Sequence, residues 1–213
     1  MATKISPNLQ LTILSRLQAI KEQVAQKEGY PYDPQKLFQL LGKAVYGRFG
    51  EVEKWDEENG VIYFEVTSDG TAGPEWIKRL KKQGLSIGIL SEEALKSSQF
   101  KSTKNCTYQI AVLKAELFRN GRRFSKTILG SARRRKLKRP SAEVACLICE
   151  KFSEADLKKM GMDVIVVFHE PLLDPGIILG IECRDWLLAY SSALDNGWCA
   201  RTGFAFVVSK TEC

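Results

Sequence analysis

Apolar residues recur every three or four positions in the first part of the chain. Ile13, Leu17, Ile20 and Val24 mark one stripe between Leu9 and Lys27, closed by Gly29, and this spacing predicts an amphipathic helix. Asp33 and Pro34 stand where an N-cap and a first helical residue belong. Leu37, Phe38, Leu41, Ala44 and Val45 then form a second stripe that ends near Gly47 to Gly50. Two antiparallel helices joined by a Pro-rich turn are expected.

The period next shortens. Glu51 to Trp55 and Val61 to Thr67 flank Asp56 to Gly60, and the Asn59-Gly60 step is a hairpin signal. After Ser68 to Pro74 a helix is expected over Glu75 to Gln83, started by Pro74 and stopped by Gly84. Leu85 to Leu90 reads as a short strand or link, and Ser91 opens a brief helix. Thr107 to Phe118 reads as a helix by its Ala, Leu, Lys and Glu content, although Ile110, Val112 and Phe118 also suit a strand. Phe124 to Leu137 is helical by propensity, Pro140 breaks it, and Ser141 caps another helix. Ser153 and Asp156 make a capping box. Four apolar runs follow: Val164 to His169, Ile177 to Glu182, Trp186 to Tyr190 and Phe204 to Val208, with turns at Asp174 to Gly176 and Asp195 to Gly197.

The fold class this predicts is α+β: a helical N-terminal half with a β-hairpin, then a C-terminal antiparallel meander sheet packed by helices. With no repeat or linker in the chain, residues 1–213 are expected to form a single compact α+β domain, with an internal seam possible only near 119–140. At 213 residues and 44% apolar content the chain can bury a core without metal or disulfide. The longest aliphatic and aromatic run, Val164 to Phe168, is too short to cross a bilayer, so no membrane association is expected. The first thirty residues carry no export signal. A soluble cytoplasmic protein is therefore expected, nuclear if the host is eukaryotic. The six cysteines, at 106, 146, 149, 183, 199 and 213, then read as free thiols.

Charge changes this picture. The chain carries 32 Lys and Arg against 25 Asp and Glu. Ten of the basic residues fall between Arg119 and Arg139 with no acid among them: Arg119, Arg122, Arg123, Lys126, Arg133, Arg134, Arg135, Lys136, Lys138 and Arg139. Without that segment 22 basic residues face 25 acidic ones, a net of −3. So concentrated a charge creates a local potential that selects polyanions, above all nucleic-acid backbones. On a helical wheel Phe124, Ile128 and Ala132 share a face expected to pack on the core, which leaves no aromatic for stacking on bases. Contacts to phosphate with little base reading follow. The competing readings are a solvated helix face whose cations meet acids elsewhere in the chain, a nuclear-import signal across Arg122 to Lys136, and an adaptor module meeting an acidic protein partner.

Three weaker candidates remain. Ser68, Gly70, Thr71 and Gly73 join a strand to a helix start, a place where free N–H groups can hold an anion, although a plain turn explains them too. His169, the lone histidine, stands beside Glu170 and near Asp174. It is a candidate general base for a hydrolase or transferase of a small anionic substrate, against the alternative of a structural histidine. Cys146 and Cys149 have the CxxC spacing but lie within an expected helix rather than at its N-terminus, where a thiolate is stabilised. They read as buried structural thiols. No motif calls for a metal or cofactor. The tryptophans at 55, 76, 186 and 198 read as packing residues.

Overall fold

The computed structural model describes residues 54–119, 121–183, 186–192 and 197–210; the two helices expected between Leu9 and Gly50 lie outside them. The described residues belong to one unit, Glu53–Cys213. It opens on the hairpin. Strand β1 (Asp56–Glu58) pairs antiparallel with β2 (Val61–Asp69), Glu58 facing Val61. The turn is thus only Asn59-Gly60, both at positive φ, 50° and 75°, the geometry that matches strand twist. The sequence reading assigned 56–60 to the loop. A two-residue turn instead draws Asp56 to Glu58 into pairing.

Along β2 burial alternates, with Phe64, Val66 and Ser68 inside and Glu65, Thr67 and Asp69 outside, the period of a strand with one covered face. Helix α1 (Gly73–Lys82) buries Trp76, Ile77 and Leu80, and is followed by β3 (Ser86–Ile87) and helix α2 (Ile89–Lys96). Residues expected as a helix over Thr107 to Phe118 instead form β4 (Lys104–Lys114) and a 3-10 turn at Ala115–Leu117. Ile110, Ala111, Val112 and Leu113 are all fully buried. A strand covered on both faces reads as a continuous apolar run and loses the alternation that would reveal it.

Helices α3 (Ser125–Arg134), α4 (Glu143–Lys151) and α5 (Glu154–Lys159) come next. The box expected at Ser153 and Asp156 opens α5. Strands β5 (Val164–Val167), β6 (Ile177–Glu182), β7 (Trp186–Ser191) and β8 (Thr202–Lys210) complete the described chain.

All eight strands belong to one sheet in the order β1-β2-β4-β8-β5-β6-β7-β3. The sheet is mixed, because β5 runs parallel to β8 and β3 parallel to β7. This overturns the expected fold class. The C-terminal strands are not a separate antiparallel meander: β8 pairs with β4, and the hairpin shares their sheet. Nor does a helical N-terminal half find support, since the first described elements are strands and residues 1–53 lie outside the described part. Pairing partners far apart in sequence leave no local pattern, which is why four runs in succession read as a meander.

The sheet has a core on each face. Helices α1, α2, α4 and α5 cover one face through Trp76, Leu80, Leu95, Ile148 and Leu157, against Ile62, Ile110, Ile165 and Leu179. On the other, α3 inserts Ile128 and Ala132 among Phe168, Trp198, Phe204 and Phe206. Burying Ile128 contributes about 1.5–3 kcal/mol. Cys146, Cys149, Cys183 and Cys199 are free thiols. Cys106 is disulfide-bonded, which corrects the expectation of six free thiols. Among the described residues no helix is long and apolar enough to cross a membrane.

Candidate nucleic-acid interface

The segment from Arg119 to Arg139 leaves the end of β4, forms α3, and is bridged back to β8. Both ends of α3 are clamped. At its start the Trp198 N–H donates to the Arg123 carbonyl at 2.9 Å, and the Trp198 indole N–H reaches Ser125 Oγ at 3.3 Å. Arg123 Nε donates to the Ala115 carbonyl at 3.2 Å. At its end Lys136 adopts a left-handed φ of 59°. The Lys136 N–H reaches the Arg133 carbonyl at 2.9 Å and the Leu137 N–H the Ala132 carbonyl at 3.0 Å, the paired bonds of a Schellman close. Lys138 then exchanges two backbone hydrogen bonds with Val207, each 2.8 Å. The helix expected through Leu137 therefore stops at Arg134, because a turn residue in left-handed geometry redirects the chain toward Val207 of β8.

Those clamps present the cations to water. Arg119, Arg122, Lys126, Arg133, Arg134, Arg135, Lys136 and Lys138 are exposed, and Arg123 and Arg139 are half-buried. Among the described residues only Arg139 of the ten holds a carboxylate, that of Glu170 at 2.8 Å. Elsewhere seven of the thirteen described cations pair with acids: Lys54, Arg79, Lys81, Lys96, Lys114, Lys158 and Arg201. The difference is one of placement, since α3 lies on the opposite sheet face from the other described helices and their acidic residues. Its last turn carries Arg133 and Arg134, and its first turn no acid. Positive charge at a helix C-terminus is favoured by the macrodipole.

An open groove of about 700 Å³ runs beside α3, lined in part by Phe124, Lys126, Thr127, Gly130, Arg133 and Ser192. Phe124 is 39% exposed, although the helical wheel gave it to the core. It is the N-cap residue, with extended backbone (φ −92°, ψ 148°). The helical period does not govern it, and Ile128 and Ala132, with the partly buried Leu129, anchor the helix.

The other candidates are held differently. His169 is 1% exposed, and both ring nitrogens are engaged. The Leu179 N–H donates to Nε2 at 2.8 Å, so the proton sits on Nδ1 and is donated to the Glu170 carbonyl at 2.6 Å. Burial pulls its pKa down to about 4, which keeps the ring neutral. It has no free nitrogen with which to take a substrate's proton. Glu170 and Asp174 are exposed, and Glu170 faces Arg139 rather than the imidazole.

In the strand-to-helix loop, Ser68 is buried and its hydroxyl faces the Thr103 carbonyl and Glu143 Oε1, the latter at 2.6 Å. The Gly70 N–H reaches Ser68 Oγ at 3.3 Å and the Thr71 N–H reaches Asp69 Oδ1 at 3.0 Å. Asp69 also takes the Thr71 hydroxyl and Arg79, which together lower its pKa to about 2. Gly73 is there for packing: a Cβ would fall 1.8 Å from the Leu95 carbonyl oxygen. These donors are thus spent within the protein, on Asp69, on Glu143 and on the Ser68 hydroxyl. Glu143, fully buried and bonded also to the Thr103 N–H at 2.9 Å, is its anchor. Nothing in the sequence singled Glu143 out beyond its place at the start of a helix.

Cys146 and Cys149 lie buried within α4, and burial raises the Cys146 thiol well above its ordinary value, away from the thiolate that redox or zinc chemistry needs. Among the described residues no three His, Cys, Asp or Glu side chains gather as metal ligands. No family model, curated protein or solved structure matches the chain.

Proposed function

We propose that this protein binds nucleic-acid backbones through the cations of Arg119 to Arg139, with little reading of base sequence. It would act as a cytoplasmic protein, or a nuclear one in a eukaryotic host. The observation that carries the reading is the contrast in pairing among the described residues: seven of thirteen cations elsewhere hold carboxylates, while of the ten in this segment only Arg139 does so. The backbone that carries these exposed cations is fixed at both ends of α3 before any ligand arrives. Each phosphate contact then releases counterions and orders side chains but not the backbone. The rival reading as a hydrolase or transferase loses its chemistry at His169, both of whose nitrogens are already engaged.

The test replaces Arg133, Arg134 and Arg135 by Ala and Lys136 by Gly, the last chosen to suit the left-handed turn. Binding to a fluorescent oligonucleotide is expected to fall at least a hundredfold, with no loss of melting temperature. Unaltered affinity in this variant overturns the proposal. If the wild type binds an acidic protein and no oligonucleotide, the adaptor reading replaces it.

A further inference from the structure

We infer that the groove beside α3 takes single-stranded nucleic acid, with an unstacked base laid on the Phe124 ring and the adjoining phosphates held by Lys126 and Arg133; this rests on the reading of the segment as a nucleic-acid binder. Three observations meet at one place. First, Phe124 is 39% exposed and lines the groove. Exposing a phenyl ring has a hydrophobic cost, and an exposed ring amid cations is the arrangement that binds single strands: a base stacks on the ring while charge tracks the backbone. In a duplex the bases are already stacked on one another and offer the ring no face.

Second, Lys126, Gly130 and Arg133 follow one another at spacings of four and three residues, so they form one stripe of α3 along the groove. The two cations stand about 10 Å apart along the axis, one on each side of the glycine. Third, Gly130 has no packing reason to be glycine. A Cβ there would meet nothing nearer than Arg134 Nη1 at 3.8 Å, and its backbone is ordinary helix. Glycine within a helix is less stable than alanine, and here the missing side chain keeps the groove floor open between the two cations. With about 700 Å³ the groove has the volume of a small-ligand site, enough for a nucleotide unit. Ser192 also lines the groove.

The experiment measures fluorescence anisotropy of a labelled homopolymeric single strand and of a duplex of the same length. The proteins are the wild type, Phe124→Ala, Phe124→Trp and Gly130→Leu. The wild type is expected to prefer the single strand. Phe124→Ala is expected to weaken single-strand binding roughly tenfold and leave duplex binding unchanged, while Phe124→Trp retains it. Gly130→Leu, which fills the groove and removes a helix-interior glycine, should weaken single-strand binding while the melting temperature holds or rises. If the wild type binds duplex as tightly as single strand, or Phe124→Ala weakens both equally or neither, base stacking in this groove is overturned and backbone binding by the segment stands. If the wild type binds neither oligonucleotide, both readings fall together.

Discussion

His169 shows how one buried side chain couples the fold to pH. Its imidazole is neutral, accepts the Leu179 N–H and donates to the Glu170 carbonyl, and burial lowers its pKa from 6.5 to about 4. The unfolded chain therefore binds more protons than the folded one between those values. Stability is full above about pH 6.5 and is lost as pH falls toward 4, by about 3 kcal/mol across the window. Asp69, whose pKa is lowered to about 2, loses its contribution only at more acid pH, so the two effects separate. Urea midpoints at pH 7 and pH 4.5 should differ markedly for the wild type and much less for His169→Gln. An equal drop in both proteins would show that the imidazole does not control this window.

Among the elements, α3 carries an internal conflict. It is closed by Lys136, two residues beyond its end, which holds a φ of 59° so that the Schellman bonds can form and Lys138 can reach Val207. A side chain in that conformation costs about 1 kcal/mol relative to glycine. Lys136→Gly should therefore raise stability by about 1 kcal/mol, seen as a melting temperature higher by about 2–4 °C, while weakening nucleic-acid binding by the loss of one cation. A lower melting temperature would contradict the turn described. The same helix marks where local pattern stops being informative. Ile128 and Ala132 followed the helical wheel into the core because they lie within regular backbone. Phe124 did not, because an N-cap residue has left the helical path. Thr107 to Phe118 misled for a related reason: in the middle of a sheet both faces are apolar, so β4 shows no period of two. Ser68 and Glu143 became partners across 75 residues, a contact that tertiary packing alone creates. The basic run was legible in full, since charge content needs no fold to be counted. Its exposure and its groove were not.

For the whole molecule the decisive quantity is the separation of charge. Ten cations lie in about one tenth of a chain whose remainder is −3, and the helix that carries three of them covers the opposite sheet face from the acid-bearing helices. On the proposed reading a polyanion would be drawn to this segment, and the footprint on a nucleic acid would be limited by the segment's length. If about five phosphates of a single strand are neutralised, the logarithm of the binding constant should fall with the logarithm of salt concentration at a slope of about −3.5. Raising salt from about 50 to 200 mM would then cost roughly a hundredfold in affinity. Removing Arg133, Arg134 and Arg135 should flatten that slope by about 2, whereas Phe124→Ala should lower affinity at every salt concentration and leave the slope where it was, because stacking releases no counterions. Parallel titrations of the three proteins measure both terms at once. A slope near zero in the wild type would mean that these cations do not meet phosphate, and a slope changed by Phe124→Ala would mean that the ring positions the cations and does not itself bind a base.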